Sequence, residues 1–360
     1  MKLPCITMLA TLLLTVPAAA QLQITPPATI PSPPAEKQKP KPPPPAKKRE
    51  AAPAPKPSAS PKPAPSSKPT PTPTVIPAPP TDNSNADLVF GAYQRGQYKT
   101  AFDLATARAQ AGDPKAMTML GELYSNAMGI RRDYVKAADW YKRAADAGDR
   151  EAMFALAMLR ISGRGGTVDK GEAVRLMASA AKLGEPKAAY NLALLYLDGQ
   201  TLPQDVKRSA ELLRQAADAG LPEAQYALAT FYKEGTGVPK DPERAVRLLQ
   251  AASLADNVDA EVEYAIAMFN GTGTPKNQPA AVALLRKASR QGSAIAQNRL
   301  AWVLINGVGV PMDKVEGFKW HLVAKTAGKG DPELDKQLSD LPAEERAKAE
   351  AAAKKWLGSK

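Results

Sequence analysis

Apolar and polar positions repeat every 36 residues between positions 112 and 328. Within each period, apolar residues recur at three- and four-residue spacing in two separate stretches, which is the pattern of two amphipathic helices. Alanine and leucine columns mark the first stretch, at Ala116, Ala152, Ala188, Ala224, Ala260 and Ala296, and at Leu120, Leu156, Leu192, Leu228, Tyr264 and Leu300. Six consecutive helix pairs without an insertion predict an all-α fold, an α-solenoid of 36-residue repeats.

Capping residues separate the predicted helices at the same period. The pairs Asp113-Pro114 and Glu185-Pro186 precede first helices, and a polar residue precedes each second helix, at Asp133, Asp169, Asp205, Asp241, Asn277 and Asp313. A side-chain oxygen at this position accepts hydrogen bonds from the free N–H groups at a helix start. Glycine follows five of the first helices, at 163, 199, 235, 271 and 307, as expected for a left-handed C-terminal residue.

The pattern Ala-x-x-x-Leu-Gly/Ala-x-x-Tyr-x-x-Gly-x-Gly-Val-x-x-Asp, closed by Ala-Ala-x-x-Gly, resembles the Sel-one-like repeat (SLR) family, which is related to the tetratricopeptide repeats. The resemblance covers about residues 84–328. Thr201, Asp256 and Arg160 depart from it, in place of a loop glycine, a helix-end glycine and a tyrosine. The resemblance implies a right-handed superhelix of antiparallel helix pairs. It also implies that many bacterial members work outside the cytoplasm as adaptors or regulators through protein contacts.

Residues 1–20 have the composition of a secretory signal peptide, with Lys2, an apolar run over 6–16 and small residues up to Ala20. We therefore expect export across the inner membrane to the periplasm, with an uncleaved anchor as the alternative. No later segment is apolar enough to span a bilayer, so we expect no transmembrane segment in the mature chain. Cys5 is the only cysteine, so the mature chain would contain no disulfide.

Residues 21–81 hold 22 of the 35 prolines and are otherwise rich in lysine and alanine. This composition predicts a disordered Pro/Lys/Ala-rich linker with polyproline II character. The segment has nine basic and two acidic residues, so it supplies much of the net charge of +12. We expect no nucleic-acid partner, because basic residues are not interleaved with aromatic ones. The linker is either a soluble tether or a basic arm that contacts anionic cell-wall polymer.

The predicted solenoid has three parts. Residues 82–112 form a truncated N-terminal capping repeat, residues 113–328 form six SLR repeats, and residues 329–360 form C-terminal capping helices. Trp356 in the last helix is expected to seal the final repeat, with a membrane-binding amphipathic helix as the alternative.

The residues argue against an enzyme, a cofactor or a metal site. His321 is the only histidine, and its column is otherwise mostly apolar, so we interpret it as a packing residue beside Trp320. Ser179 and Lys182 match the short S-x-x-K string of penicillin-interacting enzymes, but the S-D-N and K-T-G elements of those enzymes are missing from the sequence. A metal site needs several soft or imidazole ligands, and the mature chain would offer one.

If the units stack like tetratricopeptide repeats, one face of each first helix lines a concave groove. In the first unit these positions are polar: Thr118, Glu122 and Ser125. In the later units they form the predicted partner-binding site: Phe154, Met158, Ile161, Tyr190, Leu194, Leu197, Tyr226, Ile266, Phe269, Trp302 and Ile305. Exposed apolar patches and large aromatic residues are typical of binding sites. The alternative is that superhelical curvature buries these side chains.

The sequence thus predicts an exported, non-enzymatic SLR solenoid that acts as a protein–protein interaction scaffold or regulatory adaptor in the bacterial cell envelope. The expected partner is a protein or peptide of the envelope. The alternative function is a cell-wall or polysaccharide-binding envelope factor that uses the basic Pro-rich arm.

Overall fold

The computed structural model describes residues 84–359, which form 16 α-helices and no strands. The predicted signal peptide (1–20), the whole predicted linker (21–81) and the first two residues of the predicted N-terminal capping repeat (82–83) lie outside the described residues. The helices are α1 (Ser84–Gln94), α2 (Tyr98–Gln110), α3 (Pro114–Asn126), α4 (Tyr134–Asp146), α5 (Arg150–Ser162), α6 (Lys170–Lys182), α7 (Pro186–Asp198), α8 (Val206–Asp218), α9 (Pro222–Glu234), α10 (Pro242–Leu254), α11 (Val258–Asn270), α12 (Gln278–Arg290), α13 (Ala294–Asn306), α14 (Lys314–Thr326), α15 (Pro332–Ser339) and α16 (Ala343–Gly358).

Successive helices pack against one another along the whole described chain. Each pair from α3–α4 to α13–α14 forms one 36-residue unit, and we number these repeats unit one to unit six. Every helix in the six units has 13 residues. The odd-numbered helices are the first helices of the units and the even-numbered ones are the second. The predicted all-α solenoid is confirmed.

Polar caps set the helix starts and glycines set many of the ends. Asp149 Oδ1 accepts the backbone N–H of Ala152 at 2.8 Å, and Asp205 caps α8 in the same way at 2.9 Å. Gly163 ends α5 with φ of 66°, which a residue without Cβ adopts at little cost. Leu221 is the exception among the repeat caps, because it has no side-chain acceptor and α9 begins with Pro222 instead.

Small residues let the two helices of a unit approach closely. A Cβ added to Gly121 of α3 would lie 2.5 Å from the Tyr141 ring of α4, so an aromatic residue is accommodated only because glycine faces it. In unit three the same two positions hold Ala193 and Leu213, both fully buried. A larger residue at one position is therefore matched by a smaller residue at the facing position, so the volume of the core stays similar.

The loop inside each unit rests on the preceding unit. A Cβ on Gly165 would lie 2.1 Å from the Tyr134 carbonyl oxygen, and one on Gly273 would lie 2.3 Å from that of Pro242. Thr201 occupies this loop position in unit three and does not adopt a positive φ. Unit three therefore makes this turn with a different backbone from its neighbours.

Both ends of the solenoid carry additional helices. At the N-terminal end, the Tyr93 hydroxyl of α1 donates to Glu122 Oε1 of α3 at 2.8 Å. At the C-terminal end, the Trp320 and Trp356 rings pack edge to face, with centroids 5.1 Å apart, and join α14 to α16. Within residues 84–359, no helix combines the length and the apolar character needed to cross a membrane.

Candidate functional site

The predicted lining residues lie on the first helices α5, α7, α9, α11 and α13. Ten of the eleven are half-buried, so each keeps part of its side chain accessible: Phe154, Met158, Ile161, Tyr190, Leu194, Leu197, Tyr226, Ile266, Phe269 and Trp302. Ile305 is the exception, at 5% exposed. Gly317 of α14 comes so close that an added Cβ would lie 2.6 Å from Ile305 Cγ1. Ile305 therefore belongs to the core of its own unit.

The half-buried lining residues rest on two separate core clusters. Phe154, Tyr190 and Tyr226 stand one unit apart and pack against the cluster formed by α5 to α11. Ile266, Phe269 and Trp302 pack against the cluster formed by the last repeats and the C-terminal helices. We call the accessible parts of these ten side chains the first-helix groove, after the concave face on which the resemblance to tetratricopeptide repeats predicts them. Its aromatic residues pack against the core beneath them, which limits their conformational freedom.

The first unit has a different chemistry at the same positions. Thr118 Oγ1 donates to the carbonyl of Pro114 at 3.0 Å or to Asp149 Oδ1 at 3.1 Å. Glu122 accepts from Tyr93 of the N-terminal helix. These polar groups are thus satisfied within the chain, and the apolar lining begins at Phe154.

Acidic residues accompany the tyrosines of the groove. Burial raises the pKa of Tyr190, and the negative charge of Glu223 raises it further. Burial likewise raises the pKa of Tyr226 to about 12, with additional contributions from Glu263, Asp259 and Glu234. The sequence analysis missed this negative charge, because the acids occupy other columns of the repeat.

One of these acids also links two units. Glu263 of α11 forms an ion pair with Lys233 of α9, with Nζ and Oε2 3.0 Å apart. Lys233 stands at a lining position of unit four and balances Glu263, whereas Asp259 and Glu234 add negative charge near Tyr226.

The residues considered for chemistry lie apart from the groove lining. His321 is fully buried in α14, and its Nε2 lies 2.8 Å from Asp335 Oδ1 of α15. Lys325 Nζ donates to the same oxygen at 2.8 Å, so Asp335 joins two bases of α14 to the C-terminal helices. Ser179 is exposed on α6. In the described part of the chain, no cluster of three or more His, Cys, Asp or Glu side chains is arranged to hold a metal ion.

Comparison with protein families identifies the repeat. The family model described as "Sel1 repeat" matches six consecutive segments, at residues 114–149, 150–185, 186–221, 222–257, 258–293 and 294–329. These matches begin one residue after the cap that precedes each first helix. No curated protein matches the sequence significantly.

A solved repeat protein shows the same architecture. A Sel1 repeat protein from Oxalobacter formigenes is 27% identical, with a TM-score of 0.60, over 66% of this chain and 98% of that chain. The protective antigen c5321 of uropathogenic Escherichia coli, which displays an SLR fold, is 23% identical, with a TM-score of 0.49, over 77% of this chain and 68% of that chain.

Proposed function

Because the chain belongs to the Sel1 repeat family, we propose that it is a non-enzymatic interaction scaffold or regulatory adaptor and that the first-helix groove binds its protein partner. One observation carries the proposal: large apolar side chains recur at unit spacing and are packed from below but left partly accessible. Rigid aromatic groups in such a setting contribute most of the affinity in protein interfaces. A helical solenoid offers them along an extended surface.

The chemistry of the groove defines the partner. Phe154, Tyr190 and Tyr226 offer contacts to an apolar segment, and the acids around Tyr226 favour a basic residue beside it. An extended or helical peptide with apolar residues at regular spacing fits this arrangement. We further propose that the partner is an envelope protein and that this chain is periplasmic. The support is the signal-like composition of residues 1–20. Binding of anionic cell-wall polymer by residues 21–81 is supported by the composition of that segment alone.

The test is the simultaneous replacement of Phe154, Tyr190 and Trp302 by alanine, followed by capture of envelope proteins with the purified chain. We expect the variant to lose its specific partners. A matched control replaces three exposed apolar residues outside the groove lining by alanine: Val135, Val168 and Leu254. The control should capture the same partners as the unmodified chain.

Circular dichroism and thermal unfolding establish that both variants are folded. Because the three groove residues are half-buried, a loss of fold would imitate a loss of binding. A single substitution, Tyr226→Lys, therefore gives a second test, since it places a cation where the partner's basic residue is expected. Unchanged capture by both folded groove variants would refute the groove as the binding site.

A further inference from the structure

A polar site, separate from the first-helix groove, lies where α8, α9 and α10 meet. The Tyr232 hydroxyl accepts from Arg214 Nη2 at 3.1 Å and lies 3.5 Å from Arg244 Nη1. These residues line a cleft of about 370 Å³. The lining is completed by Asp218, Leu228, Arg247 and Leu248. We call this site the arginine cleft: it has three guanidinium groups against one carboxylate.

The equivalent junctions in two other units contain a carboxylate. Between units five and six, Arg286 Nη1 of α12 pairs with Glu316 Oε1 of α14 at 2.7 Å. In unit two, Arg160 Nε pairs with Glu172 Oε2 at the same distance. The residue that corresponds to Glu172 and Glu316, two units away from each, is Arg244. In unit four a basic residue therefore stands where units two and six have an acid. Units one and three also have a basic residue here, Lys136 and Arg208.

Neighbouring acids only partly balance these bases. Arg214 forms no ion pair among residues 84–359. Arg244 Nε lies 3.1 Å from Asp241 Oδ2, while the same aspartate also caps α10. Arg247 and Glu243 are both largely exposed and 3.9 Å apart, which makes their pairing weak. The guanidinium groups thus retain donors for an additional anion.

The tyrosine hydroxyl is consistent with an excess of positive charge. Burial alone would raise the pKa of Tyr232, but hydrogen bonds from Arg244 and Arg214 outweigh burial and lower the pKa. A phenol oxygen is a weaker acceptor for two guanidinium groups than an ionised carboxylate would be. The geometry therefore leaves room for a better acceptor.

We propose that the arginine cleft binds a carboxylate of an acidic peptide, which occupies the position that Glu316 holds in unit six. Guanidinium groups match the planar geometry of a carboxylate and form two hydrogen bonds with it. Leu228 and Leu248 offer an apolar floor for the methylene groups that carry the carboxylate. This site is formed by different residues from the first-helix groove, so the two proposals stand or fall separately.

The test measures the affinity of the full chain for a fluorescent polyglutamate peptide with an amidated C-terminus. The key variant is Arg244→Glu, because its new carboxylate can pair with Arg214 as Glu316 pairs with Arg286, and the chain should therefore fold. Arg175→Glu is the matched control: it makes the same charge change at an exposed position two units before Arg247. The control also accounts for any binding of the probe to basic residues elsewhere in the chain.

We expect Arg244→Glu to bind the probe about tenfold more weakly and Arg175→Glu to bind it as the unmodified chain does. Equal affinities for the two variants, both folded by circular dichroism, would overturn the proposal. A second peptide, with a free C-terminal carboxylate and no acidic side chain, distinguishes a side-chain carboxylate from a chain-terminal one. If it also depends on Arg244, the cleft accepts a chain terminus. If inorganic phosphate displaces the probe at lower concentration than acetate does, the ligand is a phosphate and the carboxylate assignment is wrong.

Discussion

The first repeat and the later five share one backbone plan but differ in the face that the first helices present. In the first repeat, Thr118 donates a hydrogen bond to Asp149, and Glu122 accepts one from Tyr93. In the later repeats, most of the same positions hold apolar side chains that are half-buried and have surface left over. The exceptions are the polar Thr230, Lys233 and Asn298 and the buried Val262 and Ile305. The shared backbone plan thus carries two kinds of surface: the first repeat joins the N-terminal helices to the solenoid, and on our proposal the later ones offer a surface to a partner.

The difference extends into the core of the first repeat. Gly121 faces Tyr141, whereas the later repeats pair alanine with a smaller or less rigid residue, as in Ala193 and Leu213. Ala127 also ends α3 in a left-handed conformation, with φ of 57°, where the later first helices have glycine. The first repeat is therefore a variant in packing and backbone as well as in its surface.

The largest expected effect comes from Gly121→Ala. The new methyl group would overlap the Tyr141 ring, so we expect a loss of about 2 kcal/mol in the free energy of unfolding. Combining it with Tyr141→Leu recreates the Ala193–Leu213 pair of unit three and should recover much of the loss. Urea unfolding of both single variants and the double variant measures the coupling. Additive losses in the double variant would show that the two positions do not exchange volume.

A smaller loss is expected when the link to the N-terminal helix is cut. Glu122→Ala removes the acceptor of the Tyr93 hydroxyl and should cost about 1.5 kcal/mol. Glu122→Gln retains an oxygen at the same place and serves as the control. Hydrogen exchange of α1 amides gives a local measurement, in which only the alanine variant should lose protection. If both variants behave alike, the side-chain hydrogen bond does not hold α1 in place.

Ala127→Gly should have an effect of opposite sign. It relieves the left-handed strain of a residue with a Cβ, at some cost in unfolded-state entropy, and we expect a gain of about 0.5 kcal/mol. The reverse change in unit two, Gly163→Ala, should destabilise, because its Cβ would also lie 2.9 Å from Val168 Cγ2. Thermal unfolding of both variants should show shifts in opposite directions.

The tyrosine column predicts an effect confined to alkaline pH. The pKa of Tyr226 is raised to about 12 in the folded chain, mainly by burial, against 10.0 for an ordinary tyrosine. The unfolded chain therefore loses this proton first, so the contribution of Tyr226 is complete below pH 10 and is lost between pH 10 and about 12. Tyr226→Phe should reduce the fall in the free energy of unfolding over that pH window. Near pH 7 the free energy of unfolding should be unchanged. Identical pH profiles for the two proteins would contradict this assignment.

The helices, caps and helix-end glycines could be predicted from the sequence because they recur at a fixed period. Asp149 and Asp205 cap their helices as expected, and Gly163 adopts the left-handed conformation. The lining residues could be placed on first helices for the same reason. The repeat pattern did not show that Ile305 is buried. Its burial depends on Gly317 of α14, and the other five units have alanine or serine at the position of Gly317.

Contacts between residues of different columns could not be predicted. Glu261 is fully buried and pairs with Lys287, which also binds Asp256, whereas the neighbouring units place Gln225 and Gln297 at the position of Glu261 and bond them to backbone carbonyls. The arginine cleft is of the same kind. The Glu261 pair and the arginine cleft each depend on which residues from different columns meet at one junction. The repeat pattern describes each column separately and therefore does not show which residues meet.

The central claim is that the first-helix groove contacts the partner, and site-specific photo-cross-linking in cells tests it most directly. A photoreactive residue at Tyr226 should yield a discrete cross-linked partner, and the same residue at Leu254, which is 80% exposed on α10, should not. Placement at Thr118 of the polar first repeat should give little or no product. A partner captured equally from Leu254, or from Leu254 alone, would contradict the account.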